Sequence, residues 1–427
     1  MPAAKPAGVT AQAPPLDLLA AAVYAALGGV VFVATLRRPA DAVVALIATA
    51  PFSYSHAVGD TTITFAKVAL VAAALGIIVR RPSILSLSRG VPLLLGCAIL
   101  AVVVATAITI AVASDRAAVV RETLKAVQYF FTFAVATVAW SLDPDRERLR
   151  IVVTASVAIV AVAALAQEFA GAPSGIWYQG KAYPRIAGPL EGPNQLAGYL
   201  GVVLPFLIVF GLDNPPVALG GTALCSAALI LTLSRAGVFA GLIAATIVLI
   251  ARPSLRRTTL VALGSGIVAG LAVVLGWRVA ALGERFVSFA EVEQSGGVGT
   301  RSILWRAAIA LWREHPILGV GAGNYETLLP LVAPKGIRTH ANSWYLQSLV
   351  EGGLPLLGAT LWLVWASILP FRRFLKDDLC LAAFAASIGF ALHGIFDLLV
   401  FFPKIALTWY ALLGVAAAQT RNAERIT

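Results

Sequence analysis

His340 follows a polar, Arg-rich segment and opens an apolar one, in the run Arg338-Thr-His340-Ala-Asn342-Ser-Trp344-Tyr-Leu-Gln347-Ser-Leu-Val-Glu351-Gly-Gly353. An imidazole with an ordinary pKa of about 6.5 can take a proton from an attacking hydroxyl near neutral pH. A helix beginning near His340 would put His340, Trp344, Gln347 and Glu351 on one face, at i, i+4, i+7 and i+11. A lone His at a span terminus is more often a cap or water-exposed than a catalyst. This one shares its region with Arg301, Arg306, Arg313 and Arg338, and charge at a membrane face is costly unless it meets charge.

Three further constellations carry residues of the same chemistry. Tyr183-Pro-Arg185-Ile-Ala-Gly-Pro-Leu-Glu191-Gly-Pro193-Asn194, with Trp177, Tyr178 and Lys181 upstream, is a turn-rich segment in which Pro193 and Asn194 suit the start of the next span. Its aromatics fit interfacial anchors, but that reading does not account for Arg185 and Glu191, which with the aromatic faces also suit sugar rings and hydroxyls. Thr232-Leu-Ser234-Arg235-Ala-Gly237 interrupts the apolar stretch 216–250, which as one helix would run roughly 50 Å, too long for a single span. The chain must turn there. Arg235 could snorkel to headgroups, yet a guanidinium fork that never loses its proton is suited to phosphate oxygens.

The long polar segment between Trp277 and His340 contains Arg301-Ser-Ile-Leu-Trp305-Arg306 and continues to Arg313 with helical spacing. Arg301, Trp305, Ala308 and Trp312 share one stripe, as in a helix lying on the membrane plane. Pro316 and the run Gly319-Val-Gly321-Ala-Gly323 end it. That run is not a nucleotide fingerprint, because no strand precedes it and no helix of a βαβ unit follows. Asp143-Pro-Asp145 has the spacing of metal-dependent sugar transferases but lies among Arg146, Glu147 and Arg148, as a solvated loop would. His393 and Asp397, at i and i+4, are an ionisable pair at a span end that can brace the site.

The elements that must position these residues are membrane helices. The chain has 427 residues, 59% hydrophobic and 12% charged, with a mean hydropathy of +0.87. It reads as an all-α polytopic membrane protein of about 12–13 transmembrane helices with one large helical loop outside the membrane. The expected spans are 16–36, 40–56, 62–79, 91–113, 118–140, 151–170, 194–211, 216–233, 236–250, 258–277, 342–369, 379–399 and 403–419. They divide the chain into N-terminal helices 1–277 with an external loop 171–193, a loop domain 278–340, and C-terminal helices 341–427.

Arg37-Arg38, Arg80-Arg81, Arg146/Arg148/Arg150, Arg252/Arg256/Arg257, Arg372/Arg373 and Arg421/Arg425 occupy alternate short connections and mark the inside. The long loop then faces outward. Anionic lipid accounts for much of the net charge of +11, so no nucleic acid partner is expected. Cys97, Cys225 and Cys380 all fall in expected spans and offer neither a disulfide framework nor metal-ligand spacing.

Taken in order, Arg185-x-x-Gly…Pro193-Asn194-x-x-Ala197, Ser234-Arg235-x-Gly237, Arg301…Trp305 with Pro316-x-x-Gly319-x-Gly321, and His340-x-Asn342…Gly352 resemble the O-antigen ligase superfamily, which includes many O-antigen and exopolysaccharide polymerases. The resemblance implies a bacterial inner-membrane glycosyltransferase with its site facing the periplasm. It implies an undecaprenyl-diphosphate-linked glycan donor, a sugar hydroxyl acceptor such as lipid A-core, and inverting transfer with no cofactor and no metal. By resemblance His340 is the general base, and Arg235 and Arg301 hold the diphosphate. Arg185 and Arg338 are next candidates for the diphosphate. Glu191, Asn194, Asn342, Trp305 and Gln347 are expected substrate contacts, and Ser234, His393 and Asp397 supports.

The motifs do not separate a ligase from a polymerase that joins lipid-linked repeat units, since only the acceptor differs. A transporter of lipid-linked sugars is the reading from another class. Transporters place ionisable residues near the midplane at the junction of internal repeats. Here the charges gather at one face and no repeat is visible.

Overall fold

With no water in the bilayer core, backbone groups must be satisfied within the segment, and helices result. The computed structural model describes residues 15–58, 61–80, 87–170, 174–178, 181–287, 298–333 and 339–426. The helices are α1 (Leu18–Arg37), α2 (Ala40–Thr49), α3 (Phe65–Val79), α4 (Gly90–Ala107), α5 (Arg116–Leu142), α6 (Arg146–Ala170), α7 (Pro193–Phe210) and α8 (Pro215–Leu231). They continue with α9 (Arg235–Ala251), α10 (Arg256–Val287), α11 (Val298–Glu314), α12 (Tyr325–Leu328), α13 (Trp344–Ile368), α14 (Asp378–His393) and α15 (Pro403–Ile426). Every expected span holds one helix; α11 and α12 belong to the long polar segment. The protein is an all-α polytopic membrane protein.

Among the described residues, α1, α6, α7, α4 with its 3-10 extension and α13 with its own are individually long and apolar enough to cross a membrane. The α9–α10 pair is bent by 116° at Arg252. Two hairpins depart from an all-helical expectation: β1 (Ser55–Val58) with β2 (Thr61–Thr64), and β3 (Ser174–Tyr178) with β4 (Lys181–Arg185). The span expected at 40–56 is therefore helical only to Thr49. In the external loop, Trp177 pairs in register with Ala182 and Tyr178 with Lys181.

The basic connections meet at one end of the bundle. Arg146 bridges Asp213 (2.8 Å) and Asp378 (3.1 Å), Arg252 reaches Asp378 (2.8 Å), and Arg148 pairs with Asp41 and Asp145. Asp143 accepts from the Ala40 amide. Asp143 and Asp145 are thus engaged in holding α2, α5 and α6 together. The long segment and His340 lie at the other end, since α13 runs from Trp344 beside His340 toward Arg372, and 25 residues rise roughly 37 Å.

The long segment has a core of its own. Leu304, Ala307, Ala308 and Leu311 of α11 bury against Val320, Tyr325, Leu329, Ala341 and Val350. The apolar face of α11 is thus spent on protein rather than offered only to lipid. Asn324, fully buried, ties the segment to the α4–α5 connection. Its Oδ1 accepts from Ser114 Oγ (2.8 Å) and the Asp115 amide (2.7 Å), and its Nδ2 donates to the Asp115 carbonyl (3.1 Å).

The glycine run serves close packing. A Cβ at Gly321, where φ is +98°, would stand 2.5 Å from Ala113 Cβ, a conformation and a gap that only glycine accepts. The amides of Val320 and Gly321 donate to the Val350 and Glu351 carbonyls (both 2.9 Å). Those acceptors are released because α13 breaks at Gly353, with φ +59° and ψ −153°.

Candidate active site

Arg185 leaves the hairpin toward the centre of the site. Its Nε donates to the Thr232 carbonyl (2.7 Å) and its Nη2 to Asn194 Oδ1 (2.9 Å). Asn194 therefore orients Arg185; the α7 cap position is Gly192, and Pro193 is the first helical residue. Gln167 of α6 holds the following turn, its Oε1 accepting from the amides of Ala187 (3.0 Å) and Gly188 (2.9 Å). Glu191 is exposed and pairs with Lys404 at 3.7 Å.

The Thr232–Gly237 turn brings Arg235 to the same place. Leu233 has φ +52°, a costly conformation for a branched side chain. It lets Ser234 cap α9, with its Oγ accepting from the Gly237 amide at 3.4 Å. Arg235 is the first residue of that helix, whose amide end favours negative charge. A Cβ at Gly237 would collide with Ala197 and stand 3.2 Å from His393 Cε1. The Pro-Asn-x-x-Ala and Ser-Arg-x-Gly motifs thus touch each other and His393.

Arg301 approaches from α11. Burial pushes its guanidinium pKa down, the Asp397 carboxylate opposes this, and the Arg235 guanidinium adds to it. The three charges therefore act on one another. His393 in turn feels Asp397 and Arg301. Trp305, one turn after Arg301, stacks on Phe396 with ring centres 6.2 Å apart, and Asp397 accepts from its neighbouring Leu398 amide at 2.7 Å. Arg306 and Arg313 are exposed and point away from this cluster's buried side. Arg338 lies outside the described residues.

His340 precedes its helix rather than standing on it. Asn342 has φ +49°, tolerable for Asn, and Ser343 caps α13 through the Leu346 amide (3.5 Å). The helix begins at Trp344, so the expected face containing His340 breaks at this turn. Gln347 nonetheless acts on the His340 segment: its Oε1 accepts from the Ala341 amide (2.8 Å) and its Nε2 donates to Glu351 Oε1 (2.8 Å). The Trp344 amide donates to the Gly394 carbonyl (2.8 Å), tying this turn to the His393–Asp397 segment.

The imidazole of His340 lies against Phe401, with ring centres 4.0 Å apart. Burial first, then the Lys125 ammonium, lower its pKa to about 4, with the Asp397 carboxylate opposing. His340 is therefore neutral at pH 7. Four buried polar atoms in this region, Arg301 Nε, Trp305 Nε1, His340 Nδ1 and His393 Nε2, have no hydrogen-bond partner among the described residues. Such atoms are costly in a packed interior, and their gathering in one place suits a polar ligand.

Sequence reasoning missed Glu122, Lys125, Asn324 and Phe401. Lys125 donates to both oxygens of Glu122 (2.8 Å each) and stands 3.7 Å above the Phe401 ring. The signal was present, because the expected span 118–140 holds three charged residues, Arg121, Glu122 and Lys125, and ionisable residues within a span are functional candidates by default.

No curated protein matches the chain. Residues 220–363 match the family model described as O-antigen ligase. That segment, about a third of the chain, contains Ser234, Arg235, Arg301, Trp305, His340 and Gln347, and through it the chain is similar to the O-antigen ligase family.

Proposed function

We propose that this protein is a periplasm-facing inner-membrane ligase that moves a glycan from undecaprenyl diphosphate to a sugar hydroxyl, with lipid A-core as the acceptor. The observation that carries the reading is the meeting of Arg185, Arg235 and Arg301 with His340, His393 and Asp397, from five separate stretches of chain, at the end of the bundle opposite the basic connections. The loop domain 278–340 supplies Arg301 and Trp305 to that meeting.

In the reaction the acceptor oxygen bonds to the anomeric carbon from the face opposite the diphosphate, and configuration inverts. The bond from that carbon to the diphosphate oxygen breaks, and its electron pair leaves with the lipid diphosphate. Arg235, Arg301 and Arg185 stabilise the charge developing there more than the charge of the bound donor. The hydroxyl proton passes to His340, where no protein donor competes for Nδ1 among the described residues. A base with a pKa of about 4 is weak for this task. The anionic diphosphate, once bound beside it, favours the imidazolium and raises its basicity.

The test is an assay of purified protein with lipid-linked donor and either lipid A-core or further lipid-linked repeat units. Transfer to lipid A-core, lost in His340→Ala with donor binding retained, is the expected result. A product ladder without added lipid A-core assigns the protein to polymerisation instead, and unimpaired transfer by His340→Ala removes the proposed base.

A further inference from the structure

A cavity bordered by Phe401 lies between α4, α5, α13 and α15. It has a volume of about 90 Å³ and is lined by Glu122, Lys125, Ser348, Glu351 and Thr360, with aromatic walls that include Tyr129, Trp344 and Phe401. Phe401 is common to both regions, 4.0 Å from the His340 ring and 3.7 Å from Lys125 Nζ. Ser348 Oγ and Thr360 Oγ1 are 3.0 Å apart.

The two regions differ in charge. Arg185, Arg235 and Arg301 outnumber Asp397 on one side, whereas in the cavity Lys125 is paired with Glu122 and Glu351 accepts from Gln347 Nε2, so no excess of positive charge is present there. A diphosphate is therefore drawn to the first rather than to the second. Carboxylate and hydroxyl oxygens together with aromatic faces suit the hydroxyls and C–H faces of an uncharged sugar ring. Burying Glu122 and Lys125 inside the helix bundle is expensive without a functional return.

Resting on the transfer reading, we infer that this cavity is the acceptor site, which takes an uncharged, hydroxyl-bearing sugar ring and presents it past Phe401 to His340. Donor and acceptor thereby approach His340 from regions of unlike electrostatic character.

Saturation-transfer NMR on the full chain in nanodiscs, with the methyl glycosides of glucose, galactose and mannose and with inorganic pyrophosphate, tests the assignment without requiring turnover. At least one glycoside is expected to bind, about ten-fold or more weakly in Glu122→Gln, where a hydrogen bond to a charged group is lost. Arg301→Ala is expected to leave that binding within two-fold, and pyrophosphate not to displace the glycoside. Ser348→Ala, which removes a hydroxyl and no charge, serves where Glu122→Gln does not fold. The inference is overturned when no glycoside binds, when neither cavity variant weakens binding, or when pyrophosphate competes. Because no donor is present, loss of the transfer reading in the donor assay is a separate result.

Discussion

Lys125→Gln removes a charge next to the proposed base while keeping a donor for Glu122, and its effect can be sized from the geometry. Lys125 Nζ and the His340 ring lie 3.7 and 4.0 Å from the centre of the Phe401 ring, so they are at most about 8 Å apart. Two unit charges at that distance repel by roughly 0.5 kcal/mol in bulk water and roughly 2 kcal/mol at an effective dielectric of about 20. Those energies correspond to about 0.4 and 1.5 pH units. The Asp397 carboxylate remains and acts in the same direction as the loss of Lys125. The imidazole must be neutral to accept a proton, so activity falls as pH drops through its pKa. The wild-type protein is expected to show an acid limb in kcat/KM for the donor near pH 4. Lys125→Gln should move that limb upward by about 0.4 to 1.5 pH units. In both proteins the limb in kcat, which reports the donor complex, should lie above the limb in kcat/KM. A wild-type limb at or above the ordinary histidine value, or a limb that Lys125→Gln leaves in place or lowers, refutes the argument.

Arg301→Ala should lower kcat/KM for the donor by about 10²–10³-fold, the cost of one preorganised donor to a developing oxyanion, and Arg301→Lys should recover only part because its ammonium lacks the planar fork; steady-state kinetics at constant acceptor reads both. Gln347→Leu strands the Ala341 amide and one partner of Glu351, so thermal unfolding should show a loss of about 1–3 kcal/mol together with a fall in kcat, while the donor KM stays within a factor of two. Gly321→Ala forces a side chain into a left-handed turn against Ala113 and should cost about 1–3 kcal/mol, visible as faster proteolysis within 298–333 and a lower unfolding temperature than wild type.

Each of the thirteen expected segments holds a helix because a bilayer leaves the backbone one local solution, though their ends were less legible, as α2 stops at Thr49 short of the expected 56. The α8–α9 turn was legible for the same reason: the stretch 216–250 exceeds one crossing, and Ser234 and Arg235 stand where it must turn. Partners are another matter. Asn194 stands in the first turn of α7, as its type suggests, and its side chain also orients Arg185; Gln347, expected as a substrate contact, bonds Ala341 and Glu351. Each is one hydrogen-bond geometry among several open to an amide, and only the packing of distant helices selects it.

Hydropathy averaging also conceals charge. Glu122 and Lys125 disappear into an apolar window, although their cost in that window is what makes them informative. The glycine run shows the converse. Its residue types announce a tight turn at Gly319–Gly323, but that it fastens onto the carbonyls released by the Gly353 break in α13 depends on two ends of chain that meet only in the fold. The break in α13 and the capped turn at His340 therefore belong to one device. The loop is seated on α13 by backbone bonds, and α13 in turn carries Gln347, which holds the Ala341 amide beside the imidazole. Substitution at Gly321, whose amide bonds the Glu351 carbonyl and whose neighbour Ala322 lines the acceptor cavity, should for that reason reduce transfer through the position of His340 and of the cavity wall rather than through donor affinity.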